Sequence, residues 1–177
     1  MKICIGGLGS SGKTSIGEML SKELNIEHIS ESYKKSANGD EDLLSMLKKL
    51  QKDKDTEYAK KFDNEIIKKA EGKDCVITTW LSPWLVKDAT LRIWIEADIE
   101  ERARRRAKLN GMNYADALKF IEVYDKTNAE YFKGLYGIDI HDHSIFDASL
   151  NNGKLTQKQI IEVIALLALE KDGKRFR

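Results

Sequence analysis

The chain has 177 residues, 41% of them hydrophobic and 33% charged, with a formal net charge of +1. That length suits one domain with a sizeable core, and the composition is that of a soluble globular chain. A charge near zero gives no general case for nucleic-acid or membrane-surface binding, and the longest apolar run, 160–169, is interrupted by Glu162 and too short to span a bilayer.

Met1-Lys2 leads straight into an apolar run, so no signal peptide is expected and the chain reads as cytoplasmic. Cys4 and Cys75, the two cysteines, lack C-x-x-C spacing and read as small buried residues in a reducing compartment. Composition names no oligomeric state.

Residues 2–5 form the first predicted strand. The next stretch, Gly6-Gly7-Leu8-Gly9-Ser10-Ser11-Gly12-Lys13-Thr14, contains G-x-x-x-x-G-K-[ST] from Gly7 to Thr14 and opens a helix over 13–24. Glycines let successive N–H groups curl into an anion-binding nest, and the helix N-terminus adds unpaired donors. Gly7, Leu8, Gly9, Ser10, Ser11, Gly12, Lys13, Thr14 and Ser15 are therefore the candidate phosphate-binding residues. In such a loop Lys13 reaches the β- and γ-phosphates of a nucleoside triphosphate such as ATP, and the Thr14 hydroxyl ligates Mg²⁺.

A short strand follows over 26–30, with His28 reading as structural. Residues 31–73 are polar, lysine-rich and helical in pattern. Asp40 caps one helix bearing Leu43, Leu44, Met46, Leu47 and Leu50, and a second runs over 56–71 with Tyr58, Phe62, Ile66 and Ile67 inward. A simple crossover needs about a dozen residues, so the excess reads either as a substrate-covering insert or as a decorated crossover.

The third strand, 75–79, runs into Trp80-Leu81-Ser82-Pro83-Trp84. Two tryptophans at the C-terminal end of a strand either wall a ligand pocket or pack in the core. Strand four spans 91–95. Asp98 with Glu101 reads as a helix start, and the helix carries Arg102, Arg104, Arg105 and Arg106. Arg102, Arg105 and Arg106 share nearly one face, which suits either solvent or phosphate oxygens. Asn113 caps the next helix, 114–135. His141 and His143 flank Asp142 without a third ligand nearby and read as a polar loop. A last strand covers 148–150. Thr156 with Gln159 boxes the N-terminus of a final helix, 157–170, apolar on nearly all sides, before a charged tail over 171–177.

Alternating strands and helices imply a parallel sheet covered on both faces. The chain resembles the nucleoside monophosphate kinases, most closely the archaeal-type cytidylate kinases. The resemblance is carried by Ile3–Thr14, by 91–97, by Glu101–Arg105, and most specifically by Tyr136-Gly137-Ile138-Asp139-Ile140 and Ser144–Asn151. It implies an α/β three-layer P-loop kinase fold over 1–177 with a five-stranded parallel sheet, a helical acceptor-binding insert over 31–73 and a lid-like helical segment over 107–136. It further implies ATP and Mg²⁺ as cofactors and a nucleotide acceptor, CMP by default. Lys13, Arg102, Arg105 and Arg106 would then be catalytic, and Ser30, Lys34, Lys35, Thr79, Trp80 and Trp84 would bind the acceptor.

The chain departs from the family on the acceptor side. Ser30–Ser36 lacks the arginine of Ser-x-Gly-Asp-x-x-Arg. Thr79–Trp84 keeps the tryptophan of Gly-Arg-x-x-Gly-Trp and loses its arginine. Two lid arginine positions are Tyr124 and Tyr131, with Lys126 and Lys133 nearby. Lysine cannot reproduce a bidentate guanidinium fork. Two other readings therefore stand beside the first: a P-loop kinase for another small acceptor, and an ATP-dependent conformational switch that binds a protein or RNA partner.

Overall fold

The computed structural model describes residues 1–30, 45 and 56–173. The elements run β1 (Lys2–Gly6), α1 (Lys13–Leu24), β2 (Glu27–Ile29), α2 (Thr56–Ala70), β3 (Cys75–Ile77), α3 (Ser82–Leu85), β4 (Leu91–Glu96), α4 (Ile99–Asn110), α5 (Tyr114–Tyr136), β5 (Ala148–Asn151) and α6 (Gln157–Lys171). Apart from residue 45, the first predicted helix of the 31–73 segment lies outside the described residues, as do Lys34, Lys35 and 174–177.

The five strands lie in the order β2-β3-β1-β4-β5, and every neighbouring pair is parallel. β1 shows how the period of two builds three layers. Ile3 and Ile5 pack with Ile16 and Leu20 of α1 and Ile160 and Ile164 of α6 on one face. Cys4 points to the other face with Ile66 and Ala70 of α2, Ile77 and Val86. Both cysteines are free and buried. Burial pushes the Cys4 thiol up to about 12, which removes it from thiolate chemistry.

Three local expectations change. Asp98 precedes α4 without a side-chain cap, and the Glu101 carboxylate, which would complete a capping box, accepts instead from Arg104 (2.7 Å) and Arg105 (3.0 Å). α6 is buried along one side only. Ile160, Ile164, Ala165 and Ala168 meet the sheet, while Val163 and Leu166 face outward, because no described element covers that side. Lys171 closes α6 and pairs with Asp147 rather than opening a free tail. The caps of α5 (Asn113) and α6 (Thr156 with Gln159) form as the sequence predicts.

α1 lies close on the sheet because it carries Gly17. A β-carbon there would stand 2.2 Å from Thr78 Cγ2 and 2.9 Å from His28 Nε2. Gly17→Ala is expected to cost about 1–3 kcal/mol by overpacking, read as a lower urea midpoint. An unchanged midpoint would show that α1 can lift at no cost.

Candidate active site

The sheet order decides where the site lies. The loop after β1 emerges between β3 on one side and β4 on the other, the crevice where α/β sheets receive ligands. A cavity of about 730 Å³ opens there. Gly9, Ser10, Gly12, Lys13, Thr14 and Ser15 line its middle. Ser30, Phe62, Asp63, Thr78, Thr79, Trp80 and Phe132 line it from the β2–β3 side, and Arg105, Leu109, Asn152, Leu155 and Gln157 from the β4–β5 side.

The loop is shaped by its sequence. Gly12 takes φ 97°, and a β-carbon there would sit 2.3 Å from Asn152 Nδ2, so the position excludes any other residue. The Ser11 N–H donates to Leu8 O at 3.2 Å, closing a turn whose inner residue, Ser11, is fully buried. Gly7 tucks under the Ile95 carbonyl at the end of β4. Lys13 Nζ donates to Leu8 O at 3.4 Å and stands 5.3 Å from the centre of the Trp80 ring, so its ammonium lies across the mouth of its own loop.

The three arginines of the α4 face part company. Arg105 reaches the cavity wall, donating from Nη1 to Ser11 O (3.0 Å) and from Nη2 to Asn152 O (2.7 Å). Arg102 is buried behind the loop. It donates to Gly9 O at 3.2 Å, to Ala97 O at 3.1 Å and to Asp125 Oδ2 at 2.5 Å. Asp125 also accepts the Gly9 N–H at 3.3 Å. Burial outweighs the nearby guanidinium and holds the Asp125 carboxyl above its ordinary value. Arg106 is 3% exposed, with its guanidinium carbon 4.3 Å from the centre of the Phe120 ring. Of the three arginines, Arg105 therefore lines the cavity, while Arg102 and Arg106 are buried outside its lining.

On the other side, Ser30, Thr79 and Trp80 line the cavity as the sequence suggests, but Trp84 does not. The short helix α3 rotates it under the sheet edge, edge-on to Trp94 (6.2 Å) and Phe146 (5.2 Å). The Thr79 hydroxyl accepts the Ser82 N–H at 2.8 Å and so fixes the start of α3. Thr78 Oγ1 lies 2.8 Å from His28 Nε2, and burial lowers the pKa of that imidazole, which favours its neutral form. Trp80 packs against Tyr124 and Phe132. Tyr124 lines the cavity, whereas Tyr131 is buried beside Phe132. Lys126 and Lys133 are exposed and pair with Glu130 and Asp139. His143 packs its ring on Trp94, 4.4 Å between centres.

The sequence reading did not name several residues of this site, among them Asp63 and Asn152 in the lining and Asp125 behind the loop. Two of them carried a visible signal. Asp63 lies on the inward stripe of Phe62, Ile66 and Ile67. Asp125 lies on the stripe of Ile121, Asn128 and Phe132. An acid on an apolar stripe needs a buried partner.

A family model described as the cytidylate kinase-like family matches residues 2–154. A cytidylate kinase of Sulfurisphaera tokodaii is 32% identical over 167 residues, covering 93% of each chain. One from Thermococcus kodakarensis is 34% identical over 153 residues, covering 84% of this chain and 78% of its own. Among solved structures, deoxyadenosine kinase of M. mycoides with bound dATP aligns with a TM-score of 0.59 at 19% identity, covering 93% of this chain and 97% of the other. Shikimate kinase of Acinetobacter baumannii aligns with a TM-score of 0.56 at 11% identity, covering 98% and 95%. These two are similar in fold, the P-loop kinase α/β fold.

Proposed function

The chain belongs to the cytidylate kinase-like family, and from that premise we propose that this nucleoside monophosphate kinase transfers the γ-phosphoryl group of ATP to CMP, giving ADP and CDP. The observation that carries the reading is the two-sided cavity. The phosphate loop lies in its middle, with an aromatic end toward β2 and β3 and a separate end toward β4 and β5. A transfer between two bound nucleotides needs that layout, since catalysis of this kind is mainly positioning and electrostatic stabilisation.

In this reading ATP lies with its base toward Arg105, Leu109, Asn152 and Leu155. Its β- and γ-phosphates sit on the N–H groups of Gly9–Thr14. Lys13 exchanges the Leu8 carbonyl for phosphate oxygens, which accept a charge-assisted hydrogen bond more strongly. Arg105, fixed on two carbonyls, offers positive charge at the cavity wall. Arg102 acts one step removed, holding the Gly9 carbonyl and Asp125. Thr14 lines the cavity and carries a hydroxyl, so it would hold Mg²⁺, a cation that binds through few protein oxygens plus phosphates and water. Bound there, the ion would supply neutralisation of phosphate charge. The 31–73 segment serves as the acceptor-binding insert, and 107–136 as the lid that excludes water.

A screen of nucleoside monophosphates with Mg-ATP tests this, scored as acceptor-dependent ADP release. Turnover on CMP is expected. ADP release that no monophosphate stimulates would sink the reading. One observation favours a second reading: among the described residues, no guanidinium lines the acceptor end. Unphosphorylated hydroxyl acceptors belong in the same screen, and preference for one of them would favour a small-molecule kinase of another substrate class.

A further inference from the structure

The phosphate loop holds one residue in a costly conformation. Ser10 takes φ 61°, the left-handed region, which disfavours any residue with a β-carbon and costs glycine nothing. A residue stays there only where its surroundings hold it. The peptide before Ser10 is held from outside the loop. Its carbonyl, Gly9 O, accepts Arg102 Nη1 of α4 at 3.2 Å. The same nitrogen donates to Asp125 Oδ2 of α5, and Asp125 Oδ1 accepts the Gly9 N–H at 3.3 Å. One buried ion pair, drawn from two helices, thus grips Gly9 at both its polar groups. The approach is close: a β-carbon on Gly9 would stand 3.0 Å from Tyr124 Cδ1 and 3.4 Å from Asp125 Oδ1.

The grip has a direction. Among the described residues no peptide bond is cis, and a trans peptide sends its C=O and N–H opposite ways. With Gly9 O turned to Arg102, the Ser10 N–H points away from that side chain. Arg102 is buried outside the cavity lining, whereas Ser10 is part of it. Among the described residues nothing accepts the Ser10 N–H. A left-handed residue within a run of loop N–H groups is the geometry that turns them toward one anion.

We propose that Asp125 is a positioning residue for the triphosphate: with Arg102 it holds the Gly9–Ser10 peptide so that the strained Ser10 presents its N–H to a phosphate oxygen. Without the pair, Ser10 relaxes toward negative φ and the donor turns away. The inference rests on the ATP site proposed above and not on the identity of the acceptor.

The test uses the full chain with Arg102→Met and Asp125→Leu together, which removes the pair and leaves no buried charge, and separately with Asp125→Asn. Binding of a fluorescent ATP analogue with Mg²⁺ is followed at a temperature where thermal melts show each protein folded. The double variant is expected to bind it about tenfold more weakly, or worse, the worth of one hydrogen bond to a charged group. Affinity for CMP, followed through tryptophan quenching, should move much less. In turnover, KM for ATP should rise more than kcat falls. Asp125→Asn keeps an acceptor for the Gly9 N–H and should lose less than the double variant. Adding Ser10→Gly to the double variant decides the matter. Glycine takes the left-handed turn without strain, so about threefold to tenfold of the affinity should return. Loss of structural support alone gives no such recovery. Unchanged analogue affinity in the double variant, equal losses for the analogue and CMP, or a loss that Ser10→Gly does not lessen each overturns the proposal. If the double variant does not fold, Asp125→Asn with and without Ser10→Gly is scored by the same outcomes. If no monophosphate is turned over, the kinase reading fails on its own, and analogue binding still decides the role of Asp125.

Discussion

Lys13→Ala is expected to lower kcat for ADP release with Mg-ATP and CMP by about 10²–10³-fold, the loss typical of deleting one preorganised donor to a developing negative charge. The structure makes the effect separable from folding. Lys13 is the first residue of α1, and its ammonium lies over the cavity mouth rather than in the core. The hydrogen bond to Leu8 O is long, 3.4 Å, so its loss costs little. The thermal midpoint should therefore stay within about 2 °C of the wild type, below the shift that 1 kcal/mol produces in a domain of this size. Lys13→Ala retaining more than a tenth of wild-type turnover would remove Lys13 from the chemistry and with it the assignment of the loop.

Arg102→Ala is expected to act mainly on stability, by about 3–5 kcal/mol, because it leaves the Asp125 carboxyl in a buried site without its guanidinium partner. The side chains of the pair are 6% and 14% exposed, so solvent screens neither well. Deletion also strips one donor each from the Gly9 and Ala97 carbonyls. The Asp125 pKa stays raised even beside the guanidinium, so burial costs this carboxylate more than the pairing returns. It follows that replacing both partners by apolar residues, Arg102→Met with Asp125→Leu, should recover much of the loss. A urea-denaturation cycle over the four proteins measures this. Strict additivity of the two single losses would show that they do not act as a pair.

What the sequence disclosed, and what it withheld, follows from distance along the chain. The phosphate loop is eight contiguous residues, and its strand and helix flank it directly, so pattern alone located it. The unbroken apolar run Ile3, Cys4, Ile5 fits a strand buried on both faces, as β1 is. The supports of the loop are remote. Asp125 meets Gly9 across 116 positions, and Asn152 meets Ser11 across 141. No local period connects such pairs. The arginine stripe marks the intermediate case. Helical spacing correctly grouped Arg102, Arg105 and Arg106 on nearly one face. Long side chains then carried the three guanidiniums to different partners, which spacing cannot resolve. The two readings offered for the tryptophans divide between them for a similar reason, since Trp80 lines the cavity while the turn of helix at α3 packs Trp84 in the aromatic cluster at Trp94.

The strand order has a consequence for how such a chain can diverge. With β1 central, its two neighbours lead to opposite edges of the sheet, and each edge furnishes one end of the cavity. The residues at the two ends come from separate stretches of the gene, one before β4 and one from α4 onward, apart from the Tyr124 and Phe132 wall of α5. Selection can therefore rewrite one stretch while the other stays fixed, much as a socket can be recut without touching its handle. The lost arginines at 30–36 and 79–84 fall within the first stretch, those at Tyr124 and Tyr131 fall on α5, and Arg105 and Asn152 fall within the second.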